Sequence, residues 1–493
     1  MKVRSVLPVP RLATWRRTAH EASSAPTNQV PECELPVPRA VAQRILLSLL
    51  FPAMLMPLAS SMANVALPTI RDQFAIRADM TAWVATAFTL PFMVLMPVYG
   101  RLSDGVGKRR LILGGLALFT FGTAITLVAT DLVWLMVGRA IQGFGTAGMV
   151  PLGLAFLSSV FHPAERGEAL GKWSSMGPMM GFLSPVVAGF LVDHWGWRTA
   201  FAPPLLLGIF TIVIVARLVP AGLSTIVPHF WRRFDWVGVG LLSSAICAVL
   251  FFMSSRPITG VAPLQDWRLA SFAAILFVFF LLWERRRSNP FVLLKLFRHR
   301  SFTLASLVAS LRMVIMAGSS FLLPLYLADV RGLGPTATGF LLMIIPGSMF
   351  FVVRLGGRLA DNLGTRTPVF IGGIVQIIIM AAYALLPQTA PLWVLCVMLS
   401  VQGLGVGLML ASLHSAAMIG VAEEEMGAAA GQYSMVRFAG STFGTALIGV
   451  LLQFNLDRGL STLNAYQNVY LCLAGVAVLG LLCATGLKGR STA

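Results

Sequence analysis

Three arginines stand inside long apolar stretches of this 493-residue chain: Arg139, Arg312 and Arg437. A guanidinium stays charged at any physiological pH and presents a planar fork of donors that matches a carboxylate or a phosphate. No acid accompanies them, because the 19 Asp and Glu fall in polar segments or at the ends of apolar runs. An interior with cations and no anion suits an anionic or zwitterionic ligand. The plain alternative is that each arginine caps backbone carbonyls. Ser61, Asn64, Gln142, Gln402, Gln432 and Tyr433 are candidates to line the same cavity, or else to hold helices together by hydrogen bonds. His414 is the one histidine within an apolar run, near the cytoplasmic end of the twelfth. Imidazole titrates near neutral pH, which makes it a candidate proton site; a packed histidine is the alternative.

Other chemistries have little to stand on. The five cysteines have no framework spacing, and four lie in apolar runs, where they read as small core residues; no metal site, Cys–His pair or intramembrane acid suggests an enzyme. No Gly-x-x-x-x-Gly-Lys-Ser/Thr segment is present, so ATP is not expected to drive this chain, and no cofactor is implied. The net charge of +18 raises the question of nucleic acid, but the distribution of the charges answers it otherwise.

The residues that position these side chains are overwhelmingly apolar. The chain is 57% hydrophobic and 11% charged, with a mean hydropathy of +0.81, where soluble domains carry roughly 25% charged residues. Fourteen continuous apolar runs are each long enough for a spanning helix, from 45–69 and 80–99 through 236–254 and 269–283 to 427–455 and 466–487. They do not alternate, which argues for helices and against a barrel. With the N-terminus placed inside, the outer segments hold only Arg71, Arg77, Arg198, Arg256, Arg268, Arg331 and Arg458, and nearly all other basic residues fall on the inner side. The positive charge is therefore topological, with both termini cytoplasmic. The lipid bilayer is the expected partner, and nucleic acid is not.

Three motifs recur at nearly one interval. Gly100-Arg101-Leu102-Ser103-Asp104-Gly105-Val106-Gly107-Lys108-Arg109 is echoed by Gly357-Arg358-Leu359-Ala360-Asp361-Asn362-Leu363-Gly364-Thr365-Arg366. Gln142-Gly143-Phe144-Gly145 is echoed by Gln402-Gly403-Leu404-Gly405, and Gly167 and Gly171 by Gly427 and Gly431. Duplicated halves of six helices follow, and the interval leaves two further helices between them, a six-plus-two-plus-six architecture around a central cavity. The expected organisation is a disordered basic tail (1–43), an N-terminal half (44–220), a two-helix insertion (221–290), a C-terminal half (291–487) and a short tail (488–493). In the repeated loop, glycines allow tight turning, while Asp104 and Asp361 can pair with Arg101, Arg109, Arg358 or Arg366 as a conformational latch. The alternative is a charged loop that only anchors topology.

These segments resemble the major facilitator superfamily, and in particular its fourteen-helix drug/proton antiporter branch. The loop from Gly100 to Arg110 looks like the signature between helices 2 and 3, Arg139 to Gly145 like the helix 4 motif, and Asn64-Val65-Ala66-Leu67-Pro68 like the end of the helix 1 motif. Phe234-Asp235-Trp236-Val237-Gly238 and Leu296-Phe297-Arg298-His299-Arg300-Ser301-Phe302 are similar to features of the branch. Two positions depart from it: Ala59 stands where the branch carries an aspartate, and the helix 5 motif Gly-Pro-x-x-Gly-Gly reads Ser184-Pro185-Val186-Val187-Ala188-Gly189. The resemblance implies a secondary active transporter in the plasma membrane, monomeric, exporting drug-like amphipathic molecules by alternating access against a proton or other ion gradient. An organic-anion exchanger using the arginines and a non-transporting sensor are the alternatives.

Overall fold

The computed structural model describes residues 39–161, 163–220, 234–253, 260–287, 290, 292–422 and 425–487, with the side chains of Arg39, Arg101, Asp104, Pro163, Ala164 and Asp361 outside that description. Fourteen helices among these residues are long and apolar enough to cross a membrane: α1 (Ala40–Phe74), α2 (Ala78–Gly100), α3 (Lys108–Val128), α4 (Leu132–Val160), α5 (Glu165–Trp195), α6 (Trp197–Leu218), α7 (Trp236–Met253), α8 (Trp267–Arg286), α9 (Arg300–Asp329), α10 (Pro335–Ala360), α11 (Arg366–Ala384), α12 (Leu392–Met418), α13 (Met426–Asp457) and α14 (Thr462–Ala484). The protein is a multi-pass, all-helical membrane protein. An even number of crossings puts the start of α1 and the end of α14 on one face, here the termini face; the opposite one is the far face.

Helical structure starts earlier than the hydropathy suggests. The tail expected over 1–43 gives way to helix at Arg39, because the polar turn before the apolar run is built of good helix formers. Residues 1–38 and the tail 488–493 lie outside the described residues. Two spans are interrupted: α4 consists of Leu132–Thr146 and Met149–Val160, and α10 of Pro335–Leu342 and Ile344–Leu363. Gly107 (φ 91°) ends α2's extension to Val106, and Gly364 (φ 84°) ends α10's second segment. Both adopt the left-handed turn that a glycine permits at no steric cost, at matching places in the repeat.

The same pairings occur twice. α1 packs on α5, α2 on α4, α3 on α4 and α3 on α6; correspondingly α9 packs on α13, α10 on α12, α11 on α12 and α11 on α14. The repeated Gln-Gly-x-Gly motifs make this close packing sterically feasible. A Cβ on Gly143 would strike the Phe88 carbonyl of α2, and one on Gly403 the Ile345 carbonyl of α10. A Cβ on Gly145 would lie 2.5 Å from the Gly115 carbonyl of α3, and one on Gly405 2.8 Å from Val375 of α11. Small residues thus bring helix backbones close enough for dispersion contacts to act where lipid offers no hydrophobic driving force. Between the two sets, α2 runs along α13 and α5 along α10. α7 and α8 pair chiefly with each other, and α7 rests on α2 through stacked Trp83 and Phe251, 5.3 Å between ring centroids.

Candidate functional site

Arg139 on α4 is 1% exposed and fully engaged with its surroundings. Its Nε donates to the Val84 carbonyl of α2 (3.2 Å), its Nη1 donates to Gln142 Oε1 (2.8 Å), and its guanidinium lies 4.5 Å from the Phe88 ring centroid. Gln142 Nε2 in turn donates to Thr123 Oγ1 of α3 (3.0 Å). A cation held by oxygen dipoles and an aromatic face therefore ties three helices together. The repeat-related position is solved without charge: Tyr383 donates to Gln402 Oε1 (3.1 Å), and Gln376 Nε2 donates to the Gln402 carbonyl (3.0 Å), joining α11 to α12. Gln142 and Gln402, candidates for a cavity lining or for interhelical bonds, are both buried, and each bonds a neighbouring helix, Gln142 to Thr123 of α3 and Gln402 to Tyr383 of α11. Each faces the neighbour that the adjacent glycines draw in.

The other two arginines share one environment. Arg312 on α9 is buried and Arg437 on α13 half-buried, with Tyr433 and Gln432 buried one turn away. Arg437 lies 4.6 Å from the Phe438 ring centroid and 6.0 Å from that of Tyr433, whose ring meets His414 of α12 edge-on at 5.4 Å. The structure thus brings Arg312, Tyr433, Arg437 and His414 together and sets Arg139 apart from them. Ser61 and Asn64 are half-buried on α1, and Ala59 is buried.

At the termini face Arg109 of α3 binds the end of α6. It donates to the carbonyls of Val219 (2.7 Å, Nε) and Ala216 (2.8 Å, Nη2), the C-terminal end of α6, where orphan carbonyls and the helix dipole favour a cation. Arg366 lies over the Phe370 ring of its own helix at 5.0 Å, and Arg358 is exposed. The side chains of Arg101, Asp104 and Asp361 lie outside the described residues, while Gly100 and Gly357 sit against Pro151 and Ala411 of neighbouring helices.

The far face holds a set of contacts that the sequence reading missed. Arg71 at the end of α1 grips Asp329 at the end of α9 through both Nη groups, each at 2.6 Å, and Tyr466 of α14 donates to the same carboxylate at 2.6 Å. Arg77 pairs with Asp457 (2.7 Å), and the Ala78 N–H donates to Gln453 Oε1 (2.9 Å), joining α2 to α13. Thr336 donates to Asp193 (2.6 Å), joining α10 to α5. These contacts obey the repeat. Arg71 and Asp329 are 258 residues apart, close to the interval of the duplicated motifs, so the pair joins matching positions of the sequence repeat. The helix 5 motif belongs to the same surface: a Cβ on Gly189 would come 2.5 Å from the Pro335 carbonyl, and one on its counterpart Gly449 would come 2.5 Å from the Ala82 Cβ. Ser184 donates to the Met180 carbonyl, the Pro185 carbonyl faces Gly339, and Ala188 is buried. In contrast, Gly167, Gly171, Gly427 and Gly431, at the termini-face ends of α5 and α13, face open space.

A model of the Major Facilitator Superfamily matches residues 49–445. Among curated relatives, the multidrug resistance protein Stp of Mycobacterium tuberculosis is 31% identical, covering 79% of this chain and 72% of that protein. The riboflavin transporter RibZ of Clostridioides difficile is 27% identical over 86% of this chain and 93% of its own. Among solved structures, a peptide transporter POT in complex with sulfate superposes with a TM-score of 0.66 at 14% identity, covering 90% of this chain and 96% of that one.

Proposed function

The chain belongs to the major facilitator superfamily of transporters, and from this we infer that it is a secondary active exporter of drug-like amphipathic molecules. The export reading leans on the multidrug resistance relative. In this reading the halves 44–220 and 291–487 rock about a midplane cavity, 221–290 is an inserted helix pair, and the chain works as a monomer in the plasma membrane. The termini face is cytoplasmic, as the excess of basic residues in its segments favours.

One observation carries the mechanism. Polar contacts and glycine approaches between the two sets of helices gather at the far ends of α1, α2, α5, α9, α10 and α13, whereas the termini-face glycines of α5 and α13 stand in open space. A molecule shut on its outer face and loosened on its inner one is the inward-facing limb of an alternating-access cycle, with the paired ends as its outer gate. The repeated loops from Gly100 and Gly357 act as inner latches when that face closes. The energy source is a proton or other cation gradient; one charge crossing 100 mV yields about 2.3 kcal/mol, enough for a substrate gradient of roughly fifty-fold.

Purified protein reconstituted in vesicles, with an amphipathic dye and no nucleotide, tests this. An imposed inside-acid or inside-positive gradient should drive dye accumulation, and dissipating it with an ionophore should stop accumulation. Ionophore-insensitive movement, or none in a folded preparation across a panel of such dyes, contradicts the coupled-exporter reading.

A further inference from the structure

Resting on that transporter reading, we propose that Arg312 and Arg437 form an anchor for the acidic group, carboxylate or phosphate-like, of an amphipathic substrate. α9 and α13 run parallel in close contact, with Gly440 against Ser310 and Gly444 against Val314. This packing sets both guanidinium groups on one interface, within electrostatic reach of each other and of Tyr433.

What marks the pair is how little satisfies it. Arg312 Nη1 and Nη2 meet only the thioether sulfurs of Met316 (4.0 Å) and Met313 (3.6 Å), which are weak acceptors. The buried Nε atoms of Arg312 and Arg437 have no hydrogen-bond partner. The same protein shows the alternatives: buried Arg139 is bonded to two oxygens, and Arg71 is clamped on a carboxylate. Two like charges within reach of each other repel in a medium of low dielectric, and each keeps a buried Nε donor without an acceptor. An anion placed between them converts both interactions to attraction and supplies the missing acceptors, for which the planar forks are shaped.

The neighbours fit the rest of such a ligand. Met93, Met96, Met313, Met435 and Phe438 form one cluster drawn from α2, α9 and α13, and flexible thioethers accommodate varied apolar bodies. The site therefore takes an acid with an attached apolar skeleton, from a dissolved substrate or a lipid headgroup.

The probes are three dansyl compounds: dansyl-aminohexanoic acid, its methyl ester and dansyl-cadaverine. Binding is followed by energy transfer from tryptophan, and uptake is measured in vesicles of phosphatidylcholine. The wild type should bind the acid at least about tenfold more tightly than the ester, the ratio expected for one charge-assisted contact. R312Q and R437Q should each bring that ratio close to unity, R437K should keep part of it, and R354Q, at an exposed arginine of α10, should leave it unchanged. Matching elution profiles and unfolding midpoints show that each variant is folded. If R312Q or R437Q does not fold, R312K and R437K carry the test, and an unaltered ratio in them overturns the anchor. Weaker acid binding in phosphatidylglycerol vesicles, restored at lower phosphatidylglycerol content, identifies a headgroup as a second occupant of the same site. A wild type that binds or carries all three probes equally, or an acid preference that survives both Gln variants, overturns the anchor and leaves the transporter reading standing. Failure of every probe to move under a gradient while the acid preference holds counts against the transporter reading alone.

Discussion

Gly339→Val should hold the outer face open and reduce transport by at least about tenfold while the protein still folds. A Cβ at this position of α10 would strike the Pro185 carbonyl of α5, with that carbonyl carbon at 3.0 Å and Val186 Cα at 3.3 Å. These are backbone atoms of the opposing helix, so no rotamer change relieves the clash. Overpacking of this kind costs about 1–3 kcal/mol, and because it acts only where α5 and α10 meet, it shifts the open-to-closed ratio by roughly 5- to 150-fold. A cysteine placed at exposed Ala337 should then react faster with a membrane-impermeant maleimide. Gly240→Val, where an added Cβ meets nothing within 4 Å, should leave both rates unchanged. Near-normal transport by the Gly339 variant would mean that the α5–α10 contact is not a gate.

Arg139→Ala is expected to damage stability and transport together. The substitution empties a fully buried volume beside Phe88 and strips Gln142 Oε1 of its donor. Loss of packing with an orphaned acceptor costs on the order of 3 kcal/mol, and the α2–α3–α4 junction is where the cost falls. The unfolding midpoint should drop, and transport should fall by about tenfold or more, since 1.4 kcal/mol of misplaced equilibrium is already a factor of ten. Arg139→Lys should recover part of the stability, as an ammonium reaches Gln142 but cannot hold Val84 and Gln142 with one planar fork. An Ala variant as stable and active as the wild type would remove Arg139 from the account.

The parts of this fold legible in sequence are those imposed by the bilayer. Runs such as 236–254 and 392–419 must be continuously apolar, because lipid satisfies no backbone group, and α7 and α12 lie at Trp236–Met253 and Leu392–Met418. The duplicated Gln-Gly-x-Gly motifs were legible as a repeat, but the helices they draw together were not. Which neighbour Gly143 or Gly145 meets depends on rotation about the helix axis, and the same rotation puts Gln142 and Gln402 into interhelical bonds. Arg139, Arg312 and Arg437 are all cations within apolar runs, and whether other helices bring oxygen atoms to them is not legible from the runs themselves. The far-face contacts were harder to see, since Arg71 and Asp329 are joined across 258 residues, although their spacing at the repeat interval was itself a signal. Ala59 and Ser184 mark departures from the branch pattern, and Gly189 of the same motif turns out to lie against Pro335 of α10.

The direct test of the rocking-bundle account is a pair of distances measured by electron–electron double resonance on the transporting protein in vesicles. Spin labels at Trp195 and Ala337 report the outer ends of α5 and α10, and labels at Glu168 and Leu363 report their inner ends; all four positions are exposed. Reversing the imposed gradient in the presence of a transported dye should lengthen the outer distance and shorten the inner one together. Outer and inner distances that stay fixed, or that change in the same direction while dye is moving, would contradict it.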